Sequence, residues 1–446
     1  MNTYGFDYAF ALSIDTVNAI LAKKLAGVDM SISYETVDTD AGTRVNLSAQ
    51  LAPWQLVPGG QNSLLNLNLP IASGTLTLTG TLSGSYNLAG VIPELQVTLG
   101  WVGASDQQDA TGAGDATHLT FNPDDTKDAT NPGYVSPVTI HDPQQRLDST
   151  ASSILSEVMV GALYSNKETI KYIFANVNPT PANVASWLNP AQWVYTYAGT
   201  STQNALCFLC MQSPNTPLPS PPTFDANALS ASANSTLLIA QPQFFQNVVL
   251  PGVQSAFPNA AFTLSVNAQE VCTITNNGDF DVGSVTAHAL ALTPSNDGNG
   301  LALSASGGGP LKFFFGLANL PDASYSWSLA AVNPLQFDGQ HITFANDPNP
   351  TITHDQTIYW YDWVLLVVVG ITDLAGLVAA IVDAVNGFYD ASVEMGTNAI
   401  NNNLQAATGG TVANLATLIN WQIDGETLTP ADAGMSGALY VHGNLA

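Results

Sequence analysis

Basic residues are almost missing from this chain. Its 446 residues carry 8 Lys and Arg against 34 Asp and Glu, a formal net charge of -26. Neutralising a nucleic-acid backbone takes clustered Lys and Arg, and no cluster is present, so nucleic acid is excluded as a partner. Electrostatic docking to anionic lipid head groups fails for the same reason, and any lipid contact has to be driven by apolar surface. Charge of either sign is scarce, at 9% of residues. Ser, Thr, Asn and Gln therefore supply the polar surface. Apolar residues reach 46%, which rules out a disordered chain and is enough to fill the two or three domains that this length implies.

Cysteine is scarce too. Cys207, Cys210 and Cys272 are an odd number and too few for a disulfide framework. The spacing of "CFLC" has no second ligand pair and no nearby His, so Cys207 and Cys210 read as buried small apolar side chains rather than a zinc or redox site. This points to synthesis in the cytoplasm, with any release by a route other than secretion through a leader. The opening "MNTYGFDYAFALSIDTVNAILAKKL" lacks the order of such a leader, because Asp7 and Asp15 break the apolar stretch and Lys23 and Lys24 follow it.

Long uncharged apolar runs are also lacking. The most hydrophobic stretch, Trp363 to Glu394, is cut by Asp373 and Asp383, whereas a spanning helix needs about 20 residues nearly free of charge. On a helical wheel Val367, Ile371, Leu374, Val378, Ile381, Val385 and Phe388 form one stripe, with Asp373, Asp383, Asn386 and Asp390 opposite. That is the pattern of a long helix half-buried against a sheet in water, so no transmembrane segment is expected.

Catalytic signatures are missing as well: no G-x-S-x-G, no H-E-x-x-H, no phosphate loop and no dinucleotide fingerprint. The run Gly307, Gly308, Gly309 is followed by Pro310 and reads as a turn. His141-Asp142 and His354-Asp355 have the residue types of a base and its orienter, but neighbours at a strand end diverge, and Asp142 serves better as a helix cap. Asp279 and Asp281 would share a strand face as a glycosidase pair does, which keeps a secreted hydrolase, glycosidase or esterase, as an alternative. No cofactor, metal site or catalytic residue is expected.

What is present is organised twice over. Near the start Tyr4, Phe6, Tyr8, Phe10 and Leu12 alternate as a strand, and Val17, Ile20, Leu21 and Leu25 recur as a helix capped by Asp15 or Thr16. "GTLTLTGTLSGSYNLAG" alternates Leu with Thr, which buries one face of a sheet. Asp142, Pro143 and Gln145 form a helix-start signature, and Leu147, Ala151, Ile154, Val158 and Ala162 make the stripe of the helix that follows, over 142–177. Five prolines between Pro214 and Pro222 mark a stiff linker. Strands then return from Phe262 to Phe344, with a tight "NDGNG" turn, ahead of a second long helix over 356–395 and terminal strands. Pro137 to Asp142 and Pro350 to Asp355 share the spacing P-x-x-x-H-D, as an internal duplication would leave. The expected domains are 1–213, a linker 214–223, and 224–446.

Asn2, Thr3, Gly5, Asp7, Val17 and Asn18, with Phe6 in place of Trp, fit an N-T-x-G-W-D segment ahead of an aliphatic strand and a helix carrying V-N. This opening resembles the forty-seven-kilodalton clostridial accessory proteins encoded in OrfX-type botulinum neurotoxin clusters. The resemblance implies an α+β tubular lipid-binding (TULIP) architecture, elongated, in which strongly curved antiparallel sheets each wrap a long α-helix in two pseudo-repeated halves. It also implies a non-enzymatic accessory protein that holds a lipid or acyl chain between sheet and helix and is released with a toxin complex, having a toxin or another cluster-encoded protein as partner. The stripe from Val367 to Phe388 is then one wall of the lipid groove. The alternative is an interaction scaffold with a filled core and no lipid cargo.

Overall fold

The computed structural model describes residues 1–38, 42–105, 107–282, 285–310, 324–357, 383, 386–387, 396–421 and 427–446. Antiparallel sheet dominates, with a few helices. The chain divides into two units: Met1–Leu238 with Leu415–Ala431 and His442–Ala446, and Ile239–Asn414 with Asp432–Val441. The proline-rich segment 214–223 falls inside the first.

In the first unit the strand Tyr8–Ser13 is buried along almost its whole length and pairs with Asn204–Met211, Tyr8 opposite Cys210 and Ser13 opposite Ala205. The strand begins later than the alternation suggests, because Tyr4 has φ 50 and turns the chain before it. The helix Ile14–Leu25 follows at once, burying Val17, Ile20, Leu21 and Leu25. Its cap is Ser13, whose Oγ accepts from the Thr16 N–H, rather than Asp15 or Thr16. Capping favours the residue that still has extended backbone, and the strand hands over to the helix at Ser13. The alternating Leu and Thr behave as expected: Leu76 and Leu78 of Ile71–Gly80 are buried, while Thr75 and Thr79 are exposed.

A four-stranded sheet runs Ser31–Asp38, Thr43–Leu51, Ile71–Gly80, Gly84–Asn87. A second has the order Val135–His141, Ile92–Thr98, Leu64–Asn68, Gln55–Gln61. The helix Ser149–Ser165 packs against Val135–His141 and Ser31–Asp38, burying Ala151, Leu155, Val158, Met159, Ala162 and Leu163. It is shorter than the expected 142–177. The apparent start at Asp142-Pro143 is a turn, in which Asp142 accepts from the Leu147 N–H and Gln145 takes φ 53. The true N-cap is Asp148. At the far end Asn166 closes the helix, a short helix Lys167–Ile170 follows, and Tyr172–Val177 is a strand.

The second unit is built on a sheet ordered Phe262–Val266, Cys272–Asn276, Val285–Pro294, Gly300–Pro310, Ser324–Phe337, Ile342–Phe344. The three glycines expected as a turn lie inside the strand Gly300–Pro310. Gly307 is needed there because a Cβ would stand 1.9 Å from the Thr286 carbonyl oxygen and 2.7 Å from the Trp327 indole. The "NDGNG" turn forms as read: Gly298 has φ 76, and Asp297 accepts from the Asn299 N–H. Beside the sheet, Leu250–Ala256 and Gly396–Ala407 cross at Gly252, where a Cβ would come within 2.9 Å of the Ile400 backbone. Pro251 has no N–H to donate to the preceding turn, and the backbone widens into a π turn at Phe245–Val249 just before it.

Of the second long helix expected over 356–395, residues 356 and 357 instead end the strand Thr351–Thr357, which pairs with Ser324–Phe337, Asp383, Asn386 and Gly387 are helical, and the rest lies outside the described residues. Among the described residues no helix is long and apolar enough to cross a membrane.

Candidate functional site

The space beside the helix Ser149–Ser165 is the candidate site. Residues three and four apart on a helix share a face, and here Thr150, Ser153, Ile154, Glu157 and Val158 form the flank next to the buried stripe. Facing it are Tyr34 and Thr36 from the edge strand Ser31–Asp38, Thr43 and Val45 from its neighbour, and Leu82 from the turn after Ile71–Gly80. Between the two walls lies a groove of about 640 Å³. Such a volume falls within the roughly 300–1,000 Å³ that accommodate small organic ligands.

The helix is tied down at both ends of this groove. At its start the Tyr86 hydroxyl donates to the Asp148 carboxylate at 2.8 Å, while the other Asp148 oxygen accepts from the Ala151 N–H at 2.7 Å. At its end the Asn166 side chain donates to the Ser33 carbonyl at 2.8 Å and accepts from the Ser33 N–H at 3.3 Å, in the manner of a paired strand. Gly161 lets the Tyr34 ring reach the helix, since a Cβ there would sit 2.6 Å from it.

The hydrogen bond from the Ala151 backbone, followed by that from Tyr86, lowers the Asp148 pKa from its ordinary 3.8. A lowered carboxylate pKa favours folding above the ordinary value, and the contribution disappears as pH falls through the lowered one. Asp148→Ala should therefore lower the urea midpoint at neutral pH, and the gap to wild type should narrow below pH 3.8.

Chemically the groove is amphiphilic. Val45, Leu82, Ile154, Val158 and the Tyr34 ring supply apolar surface, Thr36, Ser149, Thr150 and Ser153 supply hydroxyls, and among the described residues Glu157 is its one ionisable group besides Tyr34. In the second unit the described residues leave only about 30 Å³ between Leu290, Leu292, Leu301 and Leu303 of the sheet and Val253, Phe257 and Ile400 of the helices. That is room for about one water molecule. The stripe expected as a groove wall, Val367, Ile371, Leu374, Val378, Ile381, Val385 and Phe388, lies outside the described residues.

The pairs weighed for catalysis are not brought together as such. His141 Nε2 sits 2.8 Å from Glu94 rather than against Asp142, which binds the Leu147 N–H. His288 Nδ1 sits 2.9 Å from Asp279, while Asp281 accepts from the Thr286 hydroxyl at 2.6 Å. His354 stands opposite Trp327 within a strand pair. Cys207 and Cys210 are free and buried in Asn204–Met211, and burial pushes the Cys210 thiol up to about 12, far from a thiolate at neutral pH. Among the described residues no cluster of three or more His, Cys, Asp or Glu could hold a metal ion.

Sheets of this order with short helices against them define an antiparallel sheet protein with an open groove. The comparisons give that class a family. The OrfX-like family, described as Protein OrfX2/OrfX3/P47, matches residues 3–303, and the chain belongs to it. Protein P47 of Clostridium botulinum strain Kyoto, type A2, is 23% identical over 385 residues, covering 82% of this chain and 86% of that protein. The structure of P47 from Clostridium botulinum A2 superposes with a TM-score of 0.71 at 19% identity, over 100% of this chain and 98% of that one. P47 of Clostridium botulinum E1 gives 0.68 at 17% identity, over the full length of both chains. The fold is shared with both.

Proposed function

We propose that the protein is a non-enzymatic accessory protein of a toxin gene cluster that binds a ligand carrying an apolar chain in the groove along Ser149–Ser165. The observation that carries this reading is the groove itself: about 640 Å³ left open beside a helix that is tied to the sheet at both ends. A space too large to be a packing defect and lined with apolar side chains gains free energy by taking up apolar surface, about 0.8 kcal/mol per buried methylene. Part of that gain is offset by the cost of association. With no Lys or Arg among the described residues of its lining, the groove selects the chain and a neutral, hydroxyl-compatible head over an anionic one. A tubular lipid-binding architecture, which the resemblance of the opening residues implies, would suit the same use.

Membership of the P47-containing family supports the accessory role, in which the ligand-loaded protein assists delivery or stability of a toxin encoded alongside it. Native mass spectrometry decides the ligand question. Protein extracted with organic solvent, refolded and mixed with a monoacylglycerol should gain the mass of one ligand. Failure to retain any lipid, either as purified or after loading, contradicts the proposal.

A further inference from the structure

A cavity of about 720 Å³ lies in the first unit at the start of the helix Ile14–Leu25, walled by segments 55–58, 202–204 and 229–234. Among the described residues its lining has no Lys or Arg, and its one ionisable group is Asp15. Anions find no counter-charge there, and the amide and hydroxyl groups in the walls would be wasted on a purely apolar ligand. About half of the lining is polar, including the primary amides and hydroxyls of Gln55, Gln203, Asn204, Ser230 and Asn444, and the rest is apolar, including Leu56, Val57, Pro58 and Leu229.

The walls are fixed in advance by hydrogen bonds that leave selected groups over. Asn18 clamps Leu56, donating to its carbonyl at 2.9 Å and accepting from its N–H at 2.7 Å. Asn234 clamps Leu445 in the same way, at 3.0 and 2.7 Å. The Tyr197 hydroxyl accepts from the Gly59 N–H at 3.4 Å and donates to Asn204 Oδ1, which orients the amide and leaves Asn204 Nδ2 to donate. The Asn234 N–H donates to Asn444 Oδ1 at 3.1 Å, and Asn444 Nδ2 is likewise left over. The Ser230 and Ser232 hydroxyls share a hydrogen bond at 3.0 Å and Ser230 Oγ also accepts from the Ser232 N–H at 3.3 Å, which leaves acceptor capacity on Ser232.

Oriented amide donors, a carboxylate acceptor and hydroxyls that act as either make a set matched to groups that both donate and accept. Adjacent hydroxyls do this, and an amide or carboxylate can engage two of them at once. We infer that this cavity is a binding site for a neutral, hydroxyl-rich ligand, a glycan. The site is separate from the groove along Ser149–Ser165 and does not depend on it.

Saturation-transfer NMR on the full chain with lactose, maltotriose, chitotriose, sialyllactose and a short uncharged Ser/Asn peptide tests the assignment. At least one neutral sugar should receive saturation, with sialyllactose and the peptide weaker. The double variant Gln203→Ala/Asn204→Ala should weaken that sugar by about tenfold or more, the size expected for two lost hydrogen bonds. Ser153→Trp, in the other groove, should leave it unchanged. If the double variant does not fold, Gln203→Trp, which fills the cavity from its rim, takes its place. No transfer to any neutral sugar, transfer that survives these substitutions, or stronger binding of sialyllactose or the peptide overturns the inference.

Discussion

Phe208→Ala is expected to destabilise the first unit by about 4 kcal/mol in urea unfolding. Phe208 is 0% exposed and lies on the strand Asn204–Met211, buried along both faces. Its ring meets Trp101 at 5.6 Å and Trp421 at 4.8 Å, both edge-on, and Phe10 contacts Trp421 in turn. Removing the ring deletes buried apolar surface, leaves a cavity among rigid indoles that have no freedom to collapse, and forfeits two edge-to-face contacts. Phe208→Leu keeps most of the volume and should cost roughly half or less. Equal losses for the two variants would show that ring packing is not what holds this layer.

Ser153→Trp should abolish uptake of an apolar chain while leaving the unfolding midpoint nearly unchanged. Ser153 is exposed on the groove flank of Ser149–Ser165, away from the stripe Ala151, Leu155 and Met159 that packs the core. An indole there occupies the groove without entering the core, so the same substitution separates binding from stability. At about 0.8 kcal/mol per methylene, exclusion of even four or five methylenes lowers affinity by more than about a hundredfold. Titration with a fluorescent monoacylglycerol, read as displacement by an unlabelled one, measures it. Wild-type affinity in Ser153→Trp would move the ligand elsewhere.

Local periodicity made much of the first unit legible. The helix Ile14–Leu25 and the one-sided strand Ile71–Gly80 follow from apolar spacing alone. Ile154 and Val158 of the predicted stripe are the residues that turn out to line the groove. Misplaced starts came from signals with two uses. Asp142-Pro143 can open a helix or close a turn, and Asp142 is used by the Leu147 N–H. Three adjacent glycines suit a turn or a strand squeezed by a neighbour, and Trp327 lying on Gly307 decides for the strand. The opposite wall could not be read in advance. Tyr34 and Val45 belong to adjacent strands and meet Ile154 through pairing and packing over more than a hundred residues of chain, which no local pattern encodes.

A spin-labelled monoacylglycerol added to methyl-labelled protein tests the groove most directly. Paramagnetic broadening should concentrate on Val45, Leu82, Ile154 and Val158 and vanish in Ser153→Trp. Broadening centred on other methyls, or none at saturating ligand, would contradict a chain-binding groove beside this helix.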